Sequence, residues 1–98
     1  MHHLTTYEQF ESLMQSGQNW ILFKHSGRCS ISGGACKEVE LAIHKLELDA
    51  VYVLDVIATG DLKYQIADAL KIKHESPQVI IIQDGRVKSH ASHSSISQ

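Results

Sequence analysis

Three short runs of apolar residues, at positions 20–23, 51–54 and 79–82, constrain the fold of this chain more than any other feature. Each run is apolar without alternation, which is typical of a strand that is covered on both faces. A chain of 98 residues with 43% hydrophobic residues is large enough for one such sheet and one core. We therefore expect a single domain over residues 1–98.

Helical patterns precede and separate these apolar runs. Apolar residues recur at helical spacing in three segments, residues 5–16, 35–48 and 62–70. Thr5 or Thr6 is placed to cap the first helix, and Gly17 is placed to end it. Asp61 is placed to cap the last helix, with Ala69 among the residues of its inner face. The sequence thus predicts a helix before the first strand, between the first and second, and between the second and third.

A tight hairpin is predicted at Asp84 and Gly85, followed by a returning strand over residues 86–90. The element order is then α-β-α-β-α-β-β. The helix between the first two strands is long enough for a right-handed parallel crossover, whereas the last two strands are antiparallel. This order predicts a thioredoxin-like α/β fold with a four-stranded mixed sheet flanked by helices. The tail over residues 91–98 predicts a C-terminal helix that is short or missing.

Charge and hydropathy exclude several functional classes. The net charge of -2, from 9 basic and 11 acidic residues, gives no basic surface for nucleic acid. No apolar run approaches the roughly 20 residues of a membrane helix, and the first residues lack the apolar core of a signal peptide. Two cysteines are too few for a disulfide scaffold. We expect a cytoplasmic protein without nucleic-acid or membrane partners.

Cys29 is the strongest candidate for chemistry. It follows the first strand and precedes the predicted crossover helix, whose N-terminus offers free N–H groups and partial positive charge. Both stabilise a thiolate, so we expect a lowered pKa for the Cys29 thiol. Arg28 and Lys24 add positive charge nearby. The alternative is an inert buried cysteine, which fits poorly with the polar residues around it.

Ser76 and Pro77 form the second candidate element. Pro77 is the single proline of the chain, and it stands directly before the third strand. X-Pro bonds adopt the cis form at modest cost. In a thioredoxin-like fold this position faces the reactive cysteine, and a cis bond exposes the backbone of Ser76 to an extended substrate. We therefore expect a cis bond with Pro77 close to Cys29. The alternative is a loop proline that only stops the preceding helix.

Cys36 has two open interpretations. In an unbroken helix, its seven-residue separation from Cys29 corresponds to about 10.5 Å along the axis. A disulfide requires Cα atoms within about 7 Å. Gly33 and Gly34 weaken the intervening turn. Cys36 is therefore either a resolving thiol that acts when this turn opens or a small packing residue.

The histidines raise a metal-binding alternative. Its ligands would be two histidines and the two cysteines: His25, Cys29, Cys36 and His44. This spacing lacks the paired short gaps of zinc sites, and we expect no metal.

Four segments of the chain resemble the monothiol bacilliredoxin (YtxJ-like) family. They are FKHSGRCSIS at 23–32, YVLDVI at 52–57, KHESPQ at 73–78 and HASH at 90–93. Their order and spacing also match, and the likeness extends from about residue 5 to residue 96. The resemblance implies a thioredoxin-like thiol–disulfide oxidoreductase that removes bacillithiol from mixed disulfides on client proteins. Bacillithiol is then a co-substrate, and no cofactor is required.

The resemblance also assigns roles to individual residues. Cys29 becomes the attacking thiol, Pro77 the cis-proline, and Ser76 its substrate-binding partner. We also assign Arg28 and Ser30, which flank Cys29, to substrate binding. The family usually has proline directly after the reactive cysteine, so Ser30 is a departure from its pattern. A second hypothesis is a redox sensor or adaptor that is modified at Cys29 under oxidative stress without turnover.

Overall fold

The computed structural model describes residues 2–25 and 48–92. The elements in chain order are β1 (His2–His3), α1 (Tyr7–Ser16), β2 (Trp20–His25), β3 (Ala50–Asp55), α2 (Leu62–Leu70), β4 (Gln78–Gln83) and β5 (Arg86–Ser92). Apart from Leu48, the helix expected over residues 35–48 lies outside the described residues, and so does the tail from residue 93.

The strands form one mixed sheet with the order β1-β3-β2-β4-β5. β2 is parallel to β3 and antiparallel to β4, and β4 and β5 form an antiparallel hairpin. Leu22 of β2 pairs with Tyr52 on one side and Ile80 on the other. This pattern confirms the predicted thioredoxin-like arrangement and places β2 in the centre of the sheet.

The sheet has five strands in the described part of the chain, so the prediction of four was wrong. The additional strand, β1, pairs in parallel with β3, and the His2 ring stacks on Tyr52 with ring centroids 4.9 Å apart. Leu4, which follows, is buried, and its N–H donates to the Val53 carbonyl at 2.9 Å. A two-residue strand is too short to show alternation in the sequence. Its extended conformation depends instead on pairing with β3 and on the burial of Leu4.

Helix α1 begins and ends as its sequence predicts. Thr6 is the N-cap, and its hydroxyl accepts a hydrogen bond from the Gln9 N–H at 3.1 Å. The Gln9 side chain in turn accepts from the Thr5 N–H at 3.0 Å. Gly17 ends the helix with φ 76°, a left-handed conformation that glycine adopts without steric cost.

Helix α2 spans the predicted residues 62–70 but differs from its prediction in two details. Asp61 is the N-cap residue, but its side chain makes no capping hydrogen bond. Capping residues usually have an extended backbone, whereas the backbone of Asp61 is helical. The carboxylate is therefore not placed over the first N–H groups of the helix. Ala69 is exposed and lines a shallow groove between α1 and α2. In the described residues, no helix has the length and apolar character needed to cross a membrane.

The sheet separates two apolar clusters. One cluster joins the sheet to α1 and α2: Leu4, Phe10, Leu13, Trp20, Leu22, Leu54, Val56, Leu62, Ile66, Ile80 and Ile82. The other lies on the opposite face: Ile21, Phe23, Leu48, Val51 and Val53. Successive side chains of a strand point to opposite faces. Lys24 therefore follows Trp20 and Leu22 on the face that α1 and α2 cover.

The β4–β5 hairpin turn provides a test of the packing. Asp84 and Gly85 have φ values of 58° and 72°, which confirms the predicted hairpin turn. A Cβ at Gly85 would lie 2.9 Å from the Met14 carbonyl oxygen, whereas a Cβ at Gly60, with φ 60°, would contact nothing within 4 Å. Gly85→Ala should therefore lower the free energy of unfolding by about 1 kcal/mol more than Gly60→Ala. Urea unfolding of both variants measures this difference, and equal losses would show that α1 moves freely away from the turn.

Candidate functional site

The structure describes two of the predicted site residues. Ser76 and Pro77 are joined by a cis peptide bond, which confirms that prediction. Cys29, Cys36, Arg28 and Ser30 lie outside the described residues. The contact of Pro77 with Cys29 and the assigned roles of all six residues therefore stay predictions.

The cis bond lies at the carboxyl end of the central strand. Gln78, directly after Pro77, is the first residue of β4 and pairs with Lys24 of β2. His25, which follows Lys24 in β2, pairs with Asp55, the last residue of β3. Ligands of α/β proteins bind at the carboxyl ends of parallel strands. Cys29 follows His25 by four positions in the sequence, so the chain leaves β2 at this edge toward the predicted nucleophile.

Lys24 is fully buried at this edge, with 0% of its surface exposed. Its Nζ lies 3.4 Å from Nδ1 of His74. Burial disfavours the charged ammonium and lowers the pKa of Lys24 to about 8, although the nearby Glu75 carboxylate acts in the opposite direction. The sequence predicts the positive charge of Lys24 but not its burial, since lysines are almost never fully buried without a partner.

His74 lies between the buried lysine and solvent. Partial burial is the main cause of its lowered pKa, and the positive charges of Lys24 and Lys63 lower it further. The Glu75 carboxylate has a smaller, opposite effect. The ring is therefore neutral at pH 7. A neutral imidazole that accepts a hydrogen bond at Nδ1 carries its proton on Nε2. The contact with the Lys24 ammonium thus selects the Nε2–H tautomer.

Three buried polar atoms at this end of the sheet have no hydrogen-bond partner among the described residues. They are Ser76 Oγ, Gln78 Oε1 and His25 Nδ1. Gln78 uses its amide nitrogen to donate to the Lys73 carbonyl at 3.2 Å. Buried polar atoms without partners are rare in folded proteins, and they are expected where a ligand completes the hydrogen bonding. A polar ligand bound at this end of the sheet would complete their hydrogen bonding.

A groove of about 640 Å³ lies beside His74, next to the end of α2. It is lined by Tyr64, Ala67, Asp68, Lys71, Ile72, Lys73 and His74. The His74 and Tyr64 rings are nearly perpendicular, with an interplanar angle of 78° and ring centroids 5.6 Å apart. The groove therefore lies beside His74, which precedes Ser76 by two residues, and next to helix α2.

The described residues contain no group of three or more histidine, cysteine or carboxylate side chains placed to hold a metal ion. Of the four ligands in the metal-binding alternative, His25 is described, whereas Cys29, Cys36 and His44 lie outside the described residues.

Solved structures with the same fold define the class of protein. An oxidoreductase candidate with a thioredoxin fold superposes with a TM-score of 0.80 at 29% sequence identity, covering 97% of this chain and 84% of the other. A cysteine-to-serine mutant of thioredoxin from Entamoeba histolytica gives 0.65 at 19% identity, with 96% and 87% covered. Thioredoxin from Fasciola hepatica gives 0.64 at 19% identity, with 94% and 86% covered. The chain is a thioredoxin-like protein.

The family follows from the sequence as a whole. The family model of monothiol bacilliredoxin BrxC matches residues 2–98. The chain therefore belongs to the monothiol bacilliredoxin family, and a thiol redox function follows from this membership together with the fold.

Proposed function

We propose that this protein removes bacillithiol from mixed disulfides on client proteins, with Cys29 as the attacking thiol. The observation that carries the proposal is the family match over residues 2–98. The unpartnered polar atoms beside the cis Ser76–Pro77 bond support it, because they lie at the sheet edge from which the chain runs to Cys29.

The reaction consists of two thiol–disulfide exchanges. The Cys29 thiolate attacks the bacillithiol sulfur of the mixed disulfide. A new sulfur–sulfur bond forms, and the client sulfur leaves with the electron pair of the broken bond and takes a proton from water. A second bacillithiol thiolate then attacks the bacillithiol sulfur of this adduct and Cys29 leaves as the thiolate, or the Cys36 thiolate attacks the Cys29 sulfur and bacillithiol leaves. The products are oxidised bacillithiol with free Cys29, or a Cys29–Cys36 disulfide with free bacillithiol.

Ser76, Pro77, Arg28 and Ser30 bind the substrate in this proposal. Ser76 precedes β4 and offers its backbone to an extended client segment, and Pro77 packs against the attacking sulfur. Arg28 and Ser30 flank Cys29 in the sequence and contact the bacillithiol moiety. The reaction requires free thiols, so we place the protein in the reducing cytoplasm.

Mass spectrometry of a bacillithiolated client mixed with this protein tests the proposal. We expect the bacillithiol mass to leave the client and to appear on Cys29. With excess bacillithiol, many client molecules should be processed by each protein molecule. Modification that stops at one equivalent would instead support the sensor hypothesis, and the absence of transfer would exclude both.

The role of Cys36 gives a separate prediction. Cys36→Ser should accept bacillithiol at Cys29 at the wild-type rate, because the predicted helical spacing places Cys36 too far from Cys29 to compete. When free bacillithiol is withheld, the Cys29 adduct of this variant should persist several-fold longer than that of the wild type, because the variant lacks the second thiol that could resolve it. In the wild type this resolution is slow, because opening the predicted turn costs a few hydrogen bonds of about 1 kcal/mol each. Time-resolved mass spectrometry measures both rates. An adduct lifetime identical to that of the wild type would make Cys36 a packing residue and the mechanism strictly monothiol.

A further inference from the structure

We propose that the groove lined by Tyr64, Lys71, Lys73 and His74 binds the carboxylate groups of the low-molecular-weight thiol, with His74 Nε2–H as its central donor. This inference rests on the proposed function, because it identifies the part of the substrate that is bound away from the sulfur. It adds a binding site formed by α2 and the segment before the cis bond.

The hydrogen-bonding character of the groove favours an anion. Lys71 and Lys73 are exposed, and each supplies an ammonium group. Tyr64, which is 55% exposed, supplies a hydroxyl. Asp68 is the single carboxylate of the described lining, so the cations outnumber it. A ligand that carries several acceptor oxygens and negative charge is complementary to this set.

The buried Lys24 determines what His74 offers to the groove. Its ammonium occupies Nδ1 at 3.4 Å, so the proton of the neutral ring is fixed on Nε2. The Tyr64 edge contact restricts the orientation of the ring. Lys24 is thus a positioning residue, which acts on the ligand through His74 without reaching solvent itself.

The position of the groove suits a small thiol bound beside a client peptide. His74 precedes Ser76 by two residues, so a ligand in the groove lies next to the backbone that we assign to the client. Bacillithiol carries carboxylates on its malyl group, at the opposite end of the molecule from its cysteine. The groove would hold the malyl end while the sulfur reaches the exchange site.

NMR titration with malate tests the groove without relying on catalysis. Backbone amide signals of residues 71–74 should shift and saturate in the wild-type protein. In the Lys71→Gln/Lys73→Gln double variant, the dissociation constant for malate should rise about five- to tenfold, as expected for two lost charge contacts. The matched control is Arg86→Gln/Lys88→Gln, which removes two exposed charges from β5 and should leave the constant unchanged. No saturable shift, or equal constants in both double variants, would overturn the proposal.

Kinetics then assign the groove to the thiol substrate. In Lys71→Gln/Lys73→Gln, KM for bacillithiol should rise by the same factor while kcat stays within about twofold. The rate with an uncharged thiol, 2-mercaptoethanol, should not change. Malate binding without any change in KM for bacillithiol would overturn this assignment. A wild-type protein that binds malate at residues 71–74 but never turns over bacillithiol would refute the proposed function and leave the anion site standing.

The role of Lys24 has its own spectroscopic readout. Long-range proton–nitrogen NMR spectra of the imidazole rings should show His74 in the Nε2–H form at pH 7. In Lys24→Met, which keeps the length of the side chain without its charge, the Nδ1–H form should appear and malate affinity should fall about two- to threefold. A wild-type His74 in the Nδ1–H or doubly protonated form would overturn the assignment, and so would an unchanged tautomer in Lys24→Met.

Discussion

Cys29→Ser should lower the rate of bacillithiol transfer from a client by at least about 1000-fold. The thiolate is the attacking species in disulfide exchange, and a serine hydroxyl does not ionise at neutral pH or attack a disulfide sulfur at a comparable rate. The expected loss exceeds that of every other single substitution, because the rest of the proposed site can only bind and orient the substrate.

Cys36→Ser is the matched control, since it makes the same chemical change seven residues further along the chain. Its transfer rate should stay within about twofold of the wild-type rate. Initial rates of client release, followed by mass spectrometry at one pH, measure both variants. If Cys36→Ser lost activity while Cys29→Ser retained it, the two cysteines would have the reverse roles.

The alkylation rates of the two single-cysteine proteins complete this comparison. In Cys36→Ser, reaction of Cys29 with iodoacetamide should reach half its maximum at a pH below that of an ordinary thiol, because the sequence predicts a helix N-terminus and the charge of Arg28 beside it. In Cys29→Ser, the remaining Cys36 should react more slowly at every pH. A faster reaction of Cys36 would contradict the assignment of Cys29 as the nucleophile.

The order of the elements was predictable because each core strand shows its burial in its own sequence. The apolar runs at 20–23, 51–54 and 79–82 all lie inside observed strands, and the Asp84–Gly85 turn follows from local preferences alone. Strand β1 could not be predicted in this way, because contacts with distant residues, chiefly the pairing with β3 and the stacking of His2 on Tyr52, stabilise an extended conformation at two exposed histidines.

The site was predictable where a local signal existed. Pro77 is conspicuous as the single proline before a strand, and its cis bond is confirmed. The Lys24–His74 contact joins residues fifty positions apart, so no local pattern indicates it. Lysine and histidine in polar segments ordinarily lie on the surface. The burial of Lys24 arises because β2 is the central strand and its end is covered by the chain before β4.

Lys24→Met should raise the free energy of unfolding by roughly 2 kcal/mol at pH 7. The change removes a buried ammonium and retains a flexible chain of similar volume on the helix-covered face. Burial is the main reason that the folded protein disfavours the charged form of Lys24. Glu75 loses a favourable neighbour, but it is only partly buried, so water offsets most of this loss.

The pH dependence of this gain separates the effect of charge from that of packing. In the folded protein Lys24 has a pKa of about 8, whereas the ordinary value of 10.5 applies to the unfolded chain. Between these values the unfolded state binds more protons, so the Lys24 contribution to wild-type stability rises with pH. The cost of burying the charge is fully present below pH 8 and disappears above pH 10.5. The advantage of Lys24→Met should therefore shrink steadily across this interval.

Urea unfolding at pH 7, 8.5 and 9.5 measures the advantage directly, with Lys88→Met as the matched control on β5. Lys88 is exposed, so its replacement should change the free energy of unfolding by less than about 0.5 kcal/mol at each pH. A gain that stayed constant with pH would come from packing rather than from charge. A loss at pH 7 would mean that the contacts with His74 and Glu75 outweigh desolvation. The expected combination, a more stable variant that binds the anionic ligand less tightly, fits a buried charge that is retained for function at a cost in stability.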